Sequence, residues 1–376
     1  MKVTIDSKTV QPGDYFIPVK EAHFDGHERI NDVIAKGAHV LDVDLVSYAK
    51  LYRKKLRCKV IAIVGSAGKT TVKGMLSNIL SQQFSVVETH DHQAHHYALP
   101  LTILSADHDT DFLLIEFNMK KKGDLAVLTQ LVQPDAIVFT GVGMSHIEFF
   151  NSQYYLALAK AEVFRRKLQW QSANRVCFFA SSGAYYDLIF SKAFQVGYHI
   201  ITYTGDDKVS ENINLCYQLG AYYNVSMDTI EQGITTWHHS SRRMNRINHS
   251  KFVLFDDTFS SSPSEVLYAF QYLSRYDGRK IAVLGDMLEL GSYSKKEHMF
   301  IGKLAHDYGI DMLFLLGEHM SVLEGEGMPY YHFFDKDELI RRLKEEVKQG
   351  DIILVKGARS LHMDEIVTQL DDDVIS

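Results

Sequence analysis

The chain has 376 residues, more than one hydrophobic core usually organises, so two or three domains are expected. Hydrophobic residues at 46% and charged residues at 23% fit a soluble globular protein, and a net charge of −7 argues against a general nucleic-acid binder. Its three cysteines, Cys58, Cys177 and Cys216, show neither paired zinc spacing nor a disulfide framework, which fits a reducing cytoplasm. No apolar stretch follows a basic start, so no leader is expected, and no uncharged apolar run approaches the ~20 residues of a membrane span.

Residues 1–57 form a short mixed segment, too small for a core of its own and expected to pack on its neighbour. From 58 to 243, short apolar runs alternate with helix-period stretches, the pattern of a parallel α/β sheet. Strands are expected at 58–64, 112–117, 136–140 and 175–179. Helices are expected at 70–82, 123–132, 153–167 and 227–236, the last capped by Ser226. A second alternation fills 244–376, with strands at 251–255, 280–284, 312–316 and 352–355. Helices at 263–274, 295–307, 336–348 and 363–370 complete a separate Rossmann-like domain. The polar stretch His238-His239-Ser240-Ser241-Arg242-Arg243 marks the boundary. The fold class is therefore α/β: a small N-terminal segment, a central parallel-sheet domain with a phosphate loop, and a Rossmann-like C-terminal domain.

The sharpest signal is a buried strand running into Gly65-Ser66-Ala67-Gly68-Lys69-Thr70-Thr71 and then a helix. Glycines let successive backbone N–H groups turn toward phosphate oxygens, and the helix N-terminus adds partial positive charge. Lys69 can reach the outer phosphates of a nucleotide, and the Thr70 hydroxyl can ligate Mg²⁺. The usual pattern has its first glycine where Ile63 stands, so this loop is a shorter variant. On a neighbouring strand, Asp111-Phe112-Leu113-Leu114-Ile115-Glu116 ends in a carboxylate at the edge where open α/β sheets bind ligands. Alone, Glu116 would read as an ordinary edge glutamate; beside a phosphate loop it is a candidate metal ligand.

These residues resemble the Mur ligases, most closely the type that adds D-alanyl-D-alanine to UDP-muramoyl-tripeptide. The resemblance runs through Leu99-Pro100-Leu101-Thr102, Ile115-Glu116-Phe117-Asn118-Met119, the segment from Thr140 to Glu148, and Ala159-Lys160-Ala161-Glu162. It continues through Phe255-Asp256-Asp257-Thr258-Phe259, the segment from Val283 to Gly291, and Leu354-Val355-Lys356-Gly357-Ala358-Arg359. It also reaches Ile5-Asp6-Ser7-Lys8 and Pro12-Gly13-Asp14, so nearly the whole chain takes part.

The resemblance implies an ATP-dependent ligase: ATP phosphorylates a carboxylate, and an amine attacks the acyl-phosphate to form an amide. It implies catalytic roles for Lys69, Glu116, His146 and Lys160, with Thr70, Glu116, His146 and a carbamylated Lys160 around Mg²⁺. Gly65 to Thr71, Asn212, Arg243 and Asp257 are implied to meet ATP. Ser7, Lys8, His95, Lys356 and Arg359 are implied to face the substrates. The carboxylate partner is expected to be a small molecule, UDP-linked or not, and the second partner an amino acid or dipeptide. A cytoplasmic monomer is expected, whose site is complete when the last domain closes on the central one.

Departures fall on the recognition elements. His90-Asp91-His92-Gln93-Ala94-His95-His96 replaces an asparagine-rich loop, Lys208-Val209 a His-Asn pair, and Ser260 and Ser262 two asparagines. The histidine-rich stretch lacks strand or helical ligand spacing and reads as a polar loop facing substrate. The N-terminal segment is short for a UDP-binding domain, and Lys8 stands where arginine is customary. Two alternatives stay open: a paralogous ligase of another pathway, or a nucleotide-binding regulator without ligase activity.

Overall fold

The computed structural model describes residues 2–21, 24–89, 95–165, 175–181, 183–239, 241–323 and 327–371. The N-terminal segment holds short strands β1 (Val3–Thr4), β2 (Tyr15–Phe16), β3 (Lys20–Glu21), β4 (Phe24–Asp25) and β5 (His39–Val40), with helices α1 (Ile30–Ala35) and α2 (Leu45–Arg53). Strands β1, β2 and β5 form a parallel sheet, while β3 and β4 pair antiparallel. Val10, Phe16, Val33 and Ala38 make a small core of their own. Ile17, Leu45 and Ala49 instead join the core of the following domain, so the segment is docked as well as folded.

The central domain comprises β6 (Lys59–Val64), α3 (Lys69–Leu80), β7 (Val86–Glu88), α4 (His95–Ser105), β8 (Phe112–Glu116), α5 (Asp124–Val132) and β9 (Ala136–Phe139). It continues with α6 (Gln153–Lys160), β10 (Val176–Ala180), α7 (Tyr186–Gln195), β11 (His199–Tyr203), α8 (Lys208–Tyr222) and α9 (Met227–Thr236). Its six strands are parallel, in the order β11-β10-β9-β6-β8-β7. Strand β6 is apolar on both faces: Val60, Ala62 and Val64 face one core, while Ile61 and Ile63 face Val72, Leu76 and Ile79 of α3 on the other. Continuous apolar strands of this kind belong to sheets covered on both sides. The order reverses at β6, so the loops after β6, β8 and β9 open at one crevice, where such sheets bind ligands.

The helix expected at 153–167 ends at Lys160, and Ala161–Val163 tightens into a 3-10 turn. The Glu162 carboxylate accepts from Gly123 N at 2.7 Å, and Phe164 turns inward against Phe139 and Tyr198. Burying that ring wins over continuing the helix. Residues 166–167 of the expected helix lie outside the described residues. The expected 227–236 helix is present with Ser226 accepting from Thr229 N. Helix α4 carries Pro100 within it.

The C-terminal domain contains β12 (Asn245–Asn248), β13 (Phe252–Asp257), α10 (Pro263–Leu273), β14 (Lys280–Gly285), α11 (Ser294–Asp307), β15 (Met312–Leu316), β16 (Tyr330–Phe333), α12 (Lys336–Glu346), β17 (Asp351–Lys356) and α13 (Asp364–Asp371). Its sheet runs β12-β13-β17-β14-β15-β16, antiparallel only at β12. Just ahead of β12, Arg242 and Met244 adopt left-handed backbone angles, φ 62° and 50°. Asp257 receives the Met244 N–H at 3.2 Å, Arg242 O receives the Phe259 N–H at 3.0 Å, and the Arg242 guanidinium pairs with Asp364 at 2.8 Å.

The N-terminal segment is fastened to the central domain by Arg53, whose side chain is 9% exposed. Its guanidinium donates to Val132 O at 2.7 Å and Gln133 O at 3.2 Å, and burial pulls its pKa down. Replacing it leaves these two central-domain carbonyls, and Leu56 O, without their donor, each worth about 1–3 kcal/mol when buried. Arg53→Met is expected to weaken this junction by about 2–4 kcal/mol. The measurement is the urea midpoint of the first unfolding transition, which should fall.

Candidate functional site

The phosphate loop follows β6. Gly65 and Gly68 have φ of 148° and 84°, angles that residues with a side chain rarely adopt. A Cβ at Gly65 would sit 2.1 Å from Thr140 Oγ1, and one at Gly68 would sit 2.9 Å from the Asn212 amide. The loop is braced against β9: Thr140 Oγ1 donates to Ala67 O at 2.7 Å, and Gly143 N donates to Ser66 Oγ at 2.7 Å. Lys69 Nζ donates back to Ser66 O at 3.1 Å. Gly68 caps α3, so the first N–H groups of that helix face the loop mouth, a ready site for anions. Thr71 lies in the same turn, next to Tyr268 of the C-terminal domain.

Thr70 Oγ1 donates to Glu116 Oε2 at 2.8 Å, joining the start of α3 to the end of β8. A hydroxyl and a carboxylate side by side are hard oxygen donors, the set Mg²⁺ prefers. Lys160, at the end of α6, is 2% exposed and donates to Gly65 O at 3.1 Å. Burial, helped by the nearby charge of Lys69, brings its pKa down to about 7. It is thus a lysine with a sizeable neutral fraction at neutral pH. His146 sits at φ 65° with Nδ1 hydrogen-bonded to Glu289. Burial lowers its pKa against the pull of Glu289, and the charges of Lys69 and Lys160 push the same way as burial. Asn212 on α8 is 1% exposed, and both polar atoms of its amide are buried without a hydrogen-bond partner. An orphaned donor–acceptor pair against the phosphate loop matches what an adenine edge or ribose would need.

The C-terminal domain reaches this crevice with its own loops. Ser262 Oγ meets Ser145 Oγ at 3.1 Å, and a Cβ on Gly143 would sit 2.6 Å from Ser264 Oγ. Lys356, 1% exposed, pairs with Asp257 at 2.6 Å and donates to Ser260 O at 2.7 Å. The Asp257 carboxylate is therefore already engaged by Lys356 and the Met244 N–H. Arg243 stacks 3.9 Å over the Phe259 ring, and Arg359, exposed, lies 5.8 Å from the same ring. Ser7 and Lys8 occupy the turn after β1, where Lys36 Nζ donates to both their carbonyls; among the described residues no hydrogen bond or ion pair joins them to the phosphate loop. Residues 90–94 of the histidine-rich stretch lie outside the described residues; His95 opens α4, and its side chain is not described.

Two site residues escaped the sequence reading. Glu265 follows Pro263 on α10, accepts from Ser260 Oγ at 2.9 Å, and is held below the usual glutamate range by Lys356 and Lys69 despite its burial. Glu289 lay within the quoted segment from Val283 to Gly291 without a role. The signal available for both was a carboxylate next to a turn-forming residue, too common to single out. Lys208, where the histidine of a His-Asn pair was expected, donates from Nζ to Thr140 O and pairs with Glu211 at 2.8 Å, at the rim of the loop. A cavity of about 480 Å³ runs along α3 past Thr70, Lys73, Ser77 and Trp237. Its walls include neither Lys160 nor His146, so the convergent chemistry lies beside it.

Residues 63–237 match the Mur ligase middle domain, and residues 242–359 match the Mur ligase glutamate ligase domain. The chain is 26% identical to the UDP-N-acetylmuramoyl-tripeptide–D-alanyl-D-alanine ligase of Bacillus subtilis, covering 100% of this chain and 94% of that protein. The ligase of the same name from Escherichia coli is 27% identical, covering 99% and 94%. By fold, the chain superposes on MurF from Acinetobacter baumannii with a TM-score of 0.86 at 22% identity, covering 99% of this chain and 93% of that one. MurF ligase from Thermotoga maritima in complex with ADP gives a TM-score of 0.83 at 21% identity, covering 99% and 97%. With both Mur domains matched in tandem and the full length shared with these relatives, the chain belongs to the Mur ligase family.

Proposed function

We propose that the protein is an ATP-dependent ligase of the MurF type, joining D-alanyl-D-alanine to the terminal carboxylate of UDP-N-acetylmuramoyl-tripeptide in peptidoglycan precursor synthesis. The observation that carries this reading is the convergence of Lys69, Thr70, Glu116, His146 and Lys160 at one sheet edge that the C-terminal domain covers. A regulator without activity would have no reason to keep this whole set.

The phosphate loop and Lys69 bind the β- and γ-phosphates. The substrate carboxylate attacks the γ-phosphorus; the bond to the bridging oxygen breaks, and ADP leaves with that electron pair. The amine then attacks the acyl carbon and gives up a proton to solvent, and the tetrahedral adduct collapses by expelling phosphate, leaving the amide. Holding the reactants in line and neutralising their charge supplies most of the acceleration in such chemistry. Thr70 and Glu116 would hold one Mg²⁺, with His146 and a carbamate on Lys160 holding a second. Bound there, the metal supplies charge neutralisation across the phosphate oxygens. Asn212 offers its unpartnered amide to the nucleoside. Among the described residues no helix is long and apolar enough to cross a membrane; a cytoplasmic reaction and a monomeric enzyme are part of the proposal.

The direct test is phosphate release from ATP and Mg²⁺ with UDP-muramoyl-tripeptide and D-alanyl-D-alanine, beside pairs of free amino acids. Release should require both the carboxylate and the amine and vanish in Lys69→Ala; turnover only with another pair would reassign the substrates.

Asn212→Leu separates binding from stability. Removing a buried, unpartnered amide, which costs about 1–3 kcal/mol, should raise the thermal midpoint without nucleotide. The same change should weaken binding of a non-hydrolysable ATP analogue about tenfold or more, by calorimetry.

Lys160 carbamylation has a defined pH sense. Only the neutral amine adds CO2, and its fraction grows as pH rises through the lowered pKa of about 7. With ¹³C-bicarbonate, a carbamate resonance is expected at about pH 8, lost by about pH 6, and absent in Lys160→Met.

A further inference from the structure

The loop after β14 carries Glu289 across the domain junction to His146. The contact is two-sided. One carboxylate oxygen meets His146 Nδ1, and the other receives Lys120 Nζ at 3.1 Å. The backbone joins in as well: Glu148 N donates to Glu289 O at 3.0 Å. Among the described residues, His146 Nε2 has no protein partner, and the ring feels the charges of Lys69 and Lys160.

The loop that presents Glu289 is built to be stiff. Asp286 accepts from His319 N at 3.2 Å and Met320 N at 2.8 Å, and fully buried His298 accepts from Met287 N at 3.0 Å. Met287 and Leu290, each 1% exposed, pin the loop on either side. Glu289 itself stands at φ 60°, a left-handed angle at which a side chain is strained relative to glycine. A turn selected only for shape would take glycine here, as it does two residues on at Gly291, φ 52°. The carboxylate is kept at the expense of the backbone.

We propose that Glu289 is a positioning residue for the metal site. From the C-terminal domain it holds the proton of His146 on Nδ1 and fixes the ring, so that Nε2 presents its lone pair to the cation. A histidine ligand whose second nitrogen donates to a carboxylate is both oriented and more basic. Because that carboxylate comes from the other domain, cation affinity at His146 depends on the C-terminal domain being docked. The inference rests on the reading of His146 as a metal ligand.

The test uses the full-length protein with a non-hydrolysable ATP analogue, titrated with Mn²⁺ and followed by the electron paramagnetic resonance of the free ion. Glu289→Gly deletes the carboxylate while relaxing the backbone, so loss of folding does not confuse the result. It should weaken the His146-dependent Mn²⁺ roughly 10–100-fold and leave Mn²⁺ bound through Thr70 and Glu116 unchanged. Glu289→Gln, whose amide oxygen can still accept from Nδ1, should recover part of that loss. Wild-type Mn²⁺ affinity in Glu289→Gly, alongside a loss in His146→Ala, would overturn the role of Glu289 alone. No loss in His146→Ala would overturn the metal-ligand reading beneath it.

Discussion

Two ammonium groups are folded against one loop. Lys69 donates to Ser66 O and Lys160 to Gly65 O, neighbouring carbonyls of the same turn. Among the described residues neither lysine forms an ion pair with a carboxylate, and Lys160 is buried. The local charge therefore favours an incoming anion, and the glycines, the α3 N-terminus and the Thr140 brace exist to keep that concentration of donors open. The depressed pKa of Lys160 is the same fact seen from the protein's side: burial and a cationic neighbour make its charge expensive.

The second domain answers that charge. Glu265, in the first turn of α10, and Glu289, in the loop after β14, each face a cationic or titratable group of the central domain. Ser262 hydrogen-bonds Ser145 of the β9 loop, and Ser264 packs close against Gly143. The junction thus carries complementary polar contacts beside an apolar core that both domains share.

How much of this was legible depended on the range of the interaction. Continuous apolar runs such as Leu113-Leu114-Ile115 announce buried parallel strands, and glycine with Lys69-Thr70 announces the loop between strand and helix. Those features are local, so the three-part α/β architecture and the phosphate loop could be read directly. The stop of α6 at Lys160 could not, because it is decided by where the Phe164 ring is buried. Strand β7, with only three residues, carries too short a pattern to stand out. Glu289 and His146 lie 143 residues apart, and a pairing over that distance leaves no periodicity in the chain. The ion pair of Asp257 with Lys356 joins adjacent strands β13 and β17, a lateral register no linear reading supplies.

The left-handed pair at Arg242 and Met244 has a mechanical consequence. Each residue is held in a conformation that an isolated chain would leave, and among the described residues the hydrogen bonds and ion pair that hold them, from Asp257, Phe259 and Asp364, belong to the C-terminal domain. This short reverse bend is therefore a rigid collar on that domain. Any rotation between the two large domains has its axle ahead of Arg242, and Arg243, stacked on Phe259, travels with the moving half.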